Sequence, residues 1–285
     1  MAGSILTVVN NAKPNFRPVF FYAALVSLCV LLAFGGTAAG QASAALGSST
    51  AKNGFSNEDE IRDKFNAWKT DPDARAWLGV MGYKAEEIVS VSAVKPHGEK
   101  SDVDVTVVSR GGQRTDGISI KLVSSPHGFN QIDKRWLAHY VKMWSIPPDV
   151  DAALKLFCGE TPPARPGRSK DRMFLDELTA GQQKAIIDFF VSRRERVLHD
   201  LFRGDGPHAA TWFMVAWKPG DKTSWVLKRD ADVQRFFGDG KVELTSGGSL
   251  KIGRITMQRK GGDAGRDTAK MLQFKINPAL LFDAK

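Results

Sequence analysis

The chain has 285 residues, 42% of them hydrophobic and 25% charged, with 40 basic against 31 acidic side chains, net charge +9 and pI about 9.5. That composition is ordinary for a globular protein and argues against long disorder in the body of the chain. Two cysteines, Cys29 and Cys158, exclude a disulfide framework, and the lack of any CxxC or Cys/His cluster argues against a zinc site.

Residues 19–34 form an uncharged apolar stretch behind Lys13 and Arg17. Small residues follow, through Ala42-Ser43-Ala44. This has the form of a secretory signal peptide or, extended to Ala39, of a single membrane span. Either form implies an exported or membrane-anchored protein. A start downstream of this segment implies a cytoplasmic one, although no methionine lies between Met1 and Met81. Residues 40–54, rich in Ala, Ser and Gly, read as a linker. The expected organisation is therefore 1–54 as apolar segment plus linker and 55–285 as the folded domain. Without the first 50 residues, 38 basic side chains still face 31 acidic ones. A basic domain of this kind suits a polyanionic partner.

Ser56-Asn57-Glu58-Asp59 is a helix-start signal, and Ile61, Phe65 and Trp68 then share one face. A second helix is expected over 74–81. Residues 102–109 and 117–123 alternate apolar and polar positions and read as the strands of a hairpin, with turn chemistry in Arg110-Gly111-Gly112-Gln113-Arg114. The apolar stripe Ile132, Trp136, Leu137 and Tyr140 predicts a helix over 129–144, with Gln131 near its start, where phosphate binding is favoured. Pro147-Pro148 ends the pattern, and a helix over 149–158 follows. Residues 160–172 are a Pro/Arg-rich connector. Thr179-x-x-Gln182 opens a long helix ending near Arg203. His208 has no partner that suggests catalysis. The rest is β-rich, with expected strands at 209–217, 224–227, 241–245, 250–258 and 271–276 and a short helix at 230–237. The pattern predicts an α/β (α+β) domain, a mixed central sheet flanked by helices.

The hairpin carries chemistry. Val103, Val105 and Val107 on one strand, and Ile118, Ile120 and Leu122 on the other, make an apolar face. Asp102 and Lys121, 19 positions apart, are then brought to one end of the sheet on the opposite face. A carboxylate near the start of one strand and a lysine near the end of the next is the layout of a metal-dependent phosphodiester-cleaving site. It resembles the PD-(D/E)XK nuclease superfamily, and most closely its type II restriction endonucleases. Asp102 matches the first acid and Lys121 the lysine. The second acid should stand two residues before the lysine, where this chain has Ser119. Asp104, on the same strand face as Asp102, is one replacement metal ligand. Glu58 and Glu60 on the earlier helix are others.

From Lys251 to Lys275 seven basic residues face two acids. Gln258-Arg259-Lys260 followed by Gly261-Gly262 suits DNA contact, since Arg and Lys pair with guanine and Gln with adenine. Arg266 and Lys270 suit phosphates. The segment 258–278 is also similar to the C-terminal end of restriction endonucleases. A rival reading takes Gln258-x-Lys260 as the second half of the nuclease motif, with Glu243 or Asp239 as first acid.

The resemblance implies a restriction-endonuclease-like fold and Mg²⁺-dependent, sequence-specific cleavage of double-stranded DNA. Asp102 would bind metal, Lys121 would position water, and Ser119 would support the site. It also implies a homodimer on a palindromic site and a cognate DNA methyltransferase in the same restriction-modification system. The alternatives are a DNA-binding protein whose nuclease site is degenerate at Ser119 and an exported or anchored basic binding protein. Five histidines without a G-x-S-x-G segment give a Ser-His-Asp hydrolase poor support.

Overall fold

The computed structural model describes residues 52–284 apart from 166, 221 and 222. The signal-like stretch and residues 40–51 of the expected linker lie outside the described residues. Residues 52–54, expected to be linker, are already helical. Among the described residues no helix is long and apolar enough to cross a membrane.

Helix α1 covers residues 52–66, and α2 covers Pro72–Val80, with Asp71 as N-cap accepting from the Ala74 amide. Two five-stranded sheets follow. The first has the order β1 (Ile88–Val94), β2 (Val103–Ser109), β3 (Gly112–Val123), β5 (Ala210–Trp217), β6 (Ser224–Arg229). It is mixed, because β3 and β5 run parallel while the other pairs are antiparallel. The second is antiparallel, in the order β4 (Asn130–Arg135), β10 (Leu272–Ile276), β9 (Ile255–Arg259), β8 (Leu250–Ile252), β7 (Val242–Leu244). Helices α3 (Leu137–Trp144), α4 (Pro148–Cys158), α5 (Ala180–Ser192), α6 (Arg194–Phe202) and α7 (Asp230–Gly238) complete the fold.

The period of two along the hairpin sorts its side chains between two cores. Val103, Val105, Val107, Ile118 and Ile120 pack with Ile61, Phe65, Trp77 and Met81 of the N-terminal helical region. Val123 of β3, with Phe213 and Val215 of β5, faces the larger core, shared with α3–α7 and the second sheet. Tyr140, Trp144, Phe190 and Phe274 form its aromatic centre, with ring centroids 4.7–6.5 Å apart.

Four local expectations change. Residues 130–135 are a strand, because their backbone pairs with β10 over Asn130↔Ile276 to Arg135↔Leu272, and the helix begins only at Leu137. The helical spacing of Ile132 and Trp136 is overridden by that pairing. Gln131 therefore sits on an edge strand and not at a helix N-terminus. Strand β1 was not expected. The single helix expected up to Arg203 breaks at Arg193, whose φ −105° and ψ 8° end α5 and start α6. The expected strand 250–258 folds at Gly253-Arg254 into β8 and β9. Gly253 has φ +58°, and a Cβ there would lie 2.6 Å from the Asp239 carbonyl oxygen.

Candidate active site

Asp102 precedes β2, and its amide extends the ladder by donating to the Ile118 carbonyl at 2.8 Å. The pairing Val103↔Ile118 then places its carboxylate against the next turn of β3. Asp102 Oδ2 accepts from the Ile120 amide at 2.6 Å and from Ser119 Oγ at 3.3 Å, and lies 3.5 Å from Lys121 Nζ. Lys121 Nζ also donates to the Ile120 carbonyl at 2.9 Å. The three contacts of the Asp102 carboxylate all fall on Oδ2, so Oδ1 keeps its lone pairs for another electrophile. Asp102, Ser119 and Lys121 line one cavity of about 520 Å³, whose far wall comes from β4 and α6.

The lining also includes two charged groups that sequence reasoning missed. Lys100 is two residues before Asp102 and largely buried, and its ammonium lies 3.4 Å from Asp133 Oδ2 and from the Ile132 carbonyl. Burial, against the attraction of Asp133 and with the repulsion of Lys121, pushes Lys100 below the usual lysine range. Burial also opposes the charge on Asp133. Lys100, the Arg135 fork at 3.0 and 3.2 Å and the Tyr140 hydroxyl at 2.6 Å outweigh it and hold Asp133 below the usual carboxylate range. Lys100 was legible by the period of two from Asp102. Asp133 was hidden by the expected helix.

Asp104 does not line this cavity. Its buried carboxylate accepts from Ser101 Oγ at 2.6 Å and is hydrogen-bonded to His208 Nδ1. Glu58 does not line the cavity either, but the charges of Asp102 and Lys121 act on it. Burial first, and then the negative charge of Asp102, raise its carboxyl above the usual range, while Lys95 at 3.1 Å and Lys121 pull it down. Glu60 instead pairs with Lys218. Among the described residues one group brings three potential metal-ligand atoms within 4.8 Å of one another, namely His199, Asp200 and Asp205. Arg196 bridges the two aspartates at 2.8 and 3.0 Å, and the Trp144 indole donates to Asp200 at 2.9 Å, so its charge is already balanced.

The expected DNA-contacting residues lie on the second sheet and its loop. Gln131 is exposed on β4, opposite Lys275 of β10. Gln258 on β9 faces Gln273 of β10. Arg259 Nε donates to the Ala269 carbonyl at 3.0 Å. Lys260 and Arg266 both pair with Asp263, the latter at 3.0 Å. The rival motif is not assembled. Glu243 is on β7, two strands from Gln258, and Asp239 pairs with Arg254.

The sequence model of the R.HinP1I restriction endonuclease family matches residues 81–282. No curated protein sequence matches the chain. Among solved structures, a crystal structure of the restriction endonuclease MspI in complex with its cognate DNA is similar to it. Its TM-score is 0.58 at 15% identity, and the match covers 80% of this chain and 91% of that one. The match shows that the fold, a mixed sheet flanked by helices, is shared. The hairpin site lies inside the matched residues, and the chain belongs to the R.HinP1I restriction endonuclease family.

Proposed function

We propose that the protein is a type II restriction endonuclease that hydrolyses phosphodiester bonds of double-stranded DNA at a specific sequence, with Mg²⁺ as cofactor. The observation that carries this reading is the contact of Asp102, Ser119 and Lys121 at one end of the hairpin, inside a polar cavity and in a chain of this family.

The donor set fits a hard divalent cation. Asp102 offers Oδ1, and Glu58 is a second carboxyl whose charge Asp102 disfavours, a repulsion that a bound cation would relieve. Asp102 and Glu58 would hold the metal, with Ser119 supporting Asp102 through its hydroxyl. When bound, Mg²⁺ supplies Lewis-acid stabilisation of charge on the scissile phosphate. Lys121 has one proton on the Ile120 carbonyl and one toward Asp102, which leaves the third for the attacking water or a phosphate oxygen. Ser119, in place of a second acid, leaves the site one negative charge lower beside the DNA.

Gln131, Gln258, Arg259, Lys260 and Arg266 would contact DNA, the glutamines and Lys260 at base edges and the arginines at phosphates. A homodimer on a palindromic site and a cognate methyltransferase in the same system complete the proposal. The Mg²⁺ dependence of cleavage of unmethylated DNA tests the ligand set. Glu58→Gln is expected to move the half-maximal Mg²⁺ concentration upward by about tenfold or more. An unchanged Mg²⁺ profile in that variant removes Glu58 from the site.

A further inference from the structure

Residues 203–209 join α6 to β5 and run along the segment 100–104 that leads into and begins β2. The loop is anchored at both ends. The Gly204 amide donates to the His199 carbonyl at 2.9 Å, and the Ala210 amide donates to the Arg203 carbonyl at 2.8 Å. Gly204 has φ +66°, and a Cβ there would lie 3.1 Å from Lys100 Cγ, so glycine lets the loop close on the lysine stem.

At the far end of the loop His208 holds the same segment through a closed set of three hydrogen bonds. The Ser101 amide donates to the His208 carbonyl at 3.1 Å. Ser101 Oγ donates to Asp104 Oδ1 at 2.6 Å, and Asp104 Oδ2 is bonded to His208 Nδ1. Asp102 stands inside this set, between Ser101 and Asp104 in the chain. Its own amide is taken by the Ile118 carbonyl at 2.8 Å. The backbone that carries the candidate metal ligand is therefore fixed by β3 on one side and by His208 on the other.

None of Ser101, Asp104 and His208 lines the catalytic cavity. Ser101 is only 1% exposed, so its hydroxyl is out of reach of a substrate and serves the fold of the segment. Asp104 is buried as well, and among the described residues His208 is the one cationic side chain within 4.0 Å of its carboxylate. A carboxylate accepts only, so the ring keeps its proton on Nδ1 in both charge states, and the protonated ring adds an ionic attraction. The hydrogen bond to Asp104 first, and then the charges of Asp104 and Glu99, raise His208 above its usual value.

We propose that His208 is a positioning residue for cleavage, which acts through Asp104 and Ser101 to hold the segment 101–104, and with it the Asp102 carboxylate, in place for the reaction. The inference rests on the DNA-cleaving reading and extends it to a residue outside the cavity. It follows that loss of the imidazole slows the cleavage step without weakening DNA binding. The ionic part of its contribution is greatest where the ring is protonated.

The test is single-turnover cleavage of unmethylated plasmid DNA with Mg²⁺ by the full chain, at pH 6 and at pH 8.5. His208→Ala is expected to lower the saturating rate at pH 6 by about tenfold or more, while the enzyme concentration for half that rate stays within about twofold. The side-chain amide of His208→Asn takes the place of Nδ1–H without its charge. That variant is expected to recover most of the rate, and the ratio of wild type to it is expected to fall from pH 6 to pH 8.5. A wild type that cuts no DNA overturns the DNA-cleaving reading itself. A wild type that cuts, with His208→Ala equally fast, overturns this inference alone. So does a His208→Ala loss confined to the half-maximal concentration, no recovery in His208→Asn, or a ratio that rises with pH. Should thermal melting show His208→Ala unfolded, Ser101→Ala, which breaks the same set of bonds at its other end, replaces it. An unchanged rate in Ser101→Ala overturns the inference equally.

Discussion

The backbone amide of Ile120 donates to Asp102 Oδ2 at 2.6 Å, so the strand that carries the lysine also aims the acid. This separates the chemical from the structural role of Asp102. Asp102→Asn keeps an acceptor for the amide but loses the charge. It is expected to lower cleavage at least about 100-fold with little change in stability. Asp102→Ala loses the acceptor as well and is expected to cost a further 1–2 kcal/mol or so, because the Ile120 N–H loses its partner. Urea denaturation of both variants beside their cleavage rates checks the split. Equal stability in both would show that the hydrogen bond does not position the acid.

Asp133, on β4, joins that strand to the segment leading into the β2–β3 hairpin. It accepts from Tyr140 and Arg135 and neutralises Lys100, which is largely buried. Asp133→Asn leaves that ammonium with no compensating charge. It is expected to destabilise the fold by about 3 kcal/mol, with Lys100→Met suppressing most of the loss. Chemical denaturation of the two single variants and the double variant checks this. Additive losses would show that Lys100 and Asp133 are not coupled.

The hydrogen bond to Asp104 raises His208 above its usual value of 6.5. Glu99 adds to that shift. The folded state binds the proton more tightly than the unfolded state. The stability from this pair is therefore fully present below about pH 6.5 and is lost as pH rises through the folded-state value. Melting temperatures should show wild type exceeding His208→Gln by more at pH 6 than at pH 8.5. A gap that widens with pH would contradict the assignment.

Gly117 sits where β3 passes from its antiparallel partner to the parallel one. A Cβ there would lie 2.3 Å from the Ala209 carbonyl oxygen and 3.0 Å from Ser101 Cβ. Gly117→Ala forces these strands apart next to Asp104. It is expected to cost roughly 1–3 kcal/mol and to lower cleavage through the displaced hairpin. Wild-type stability in Gly117→Ala would contradict that packing.

The sequence carried the hairpin because its two signals agree there. Valines and isoleucines in period two fixed the buried face, and the same period put Asp102, Ser119 and Lys121 on the other. It did not carry β4, whose strand state comes from pairing with β10, some 140 residues later in the chain. With β4 misread, Asp133 and the far wall of the cavity were invisible. Asp104 shares a face with Asp102 in the pattern, but the pattern cannot show that Ser101 and His208 take up its carboxylate. The connector read as a surface loop. The stacking of Arg172 on Phe157 and Phe174 depends on a return of the chain that only the fold displays.

The hairpin site is proposed to cleave DNA. Cleavage of long unmethylated DNA by the full chain, with Mg²⁺ or EDTA, and by Lys121→Ala and Lys260→Ala, tests it most directly. Discrete fragments are expected with Mg²⁺, none with EDTA and none with Lys121→Ala, and weakened or less selective cutting with Lys260→Ala. Full cutting by Lys121→Ala, with cutting abolished only in Lys260→Ala, would contradict it and move the active site to the C-terminal segment.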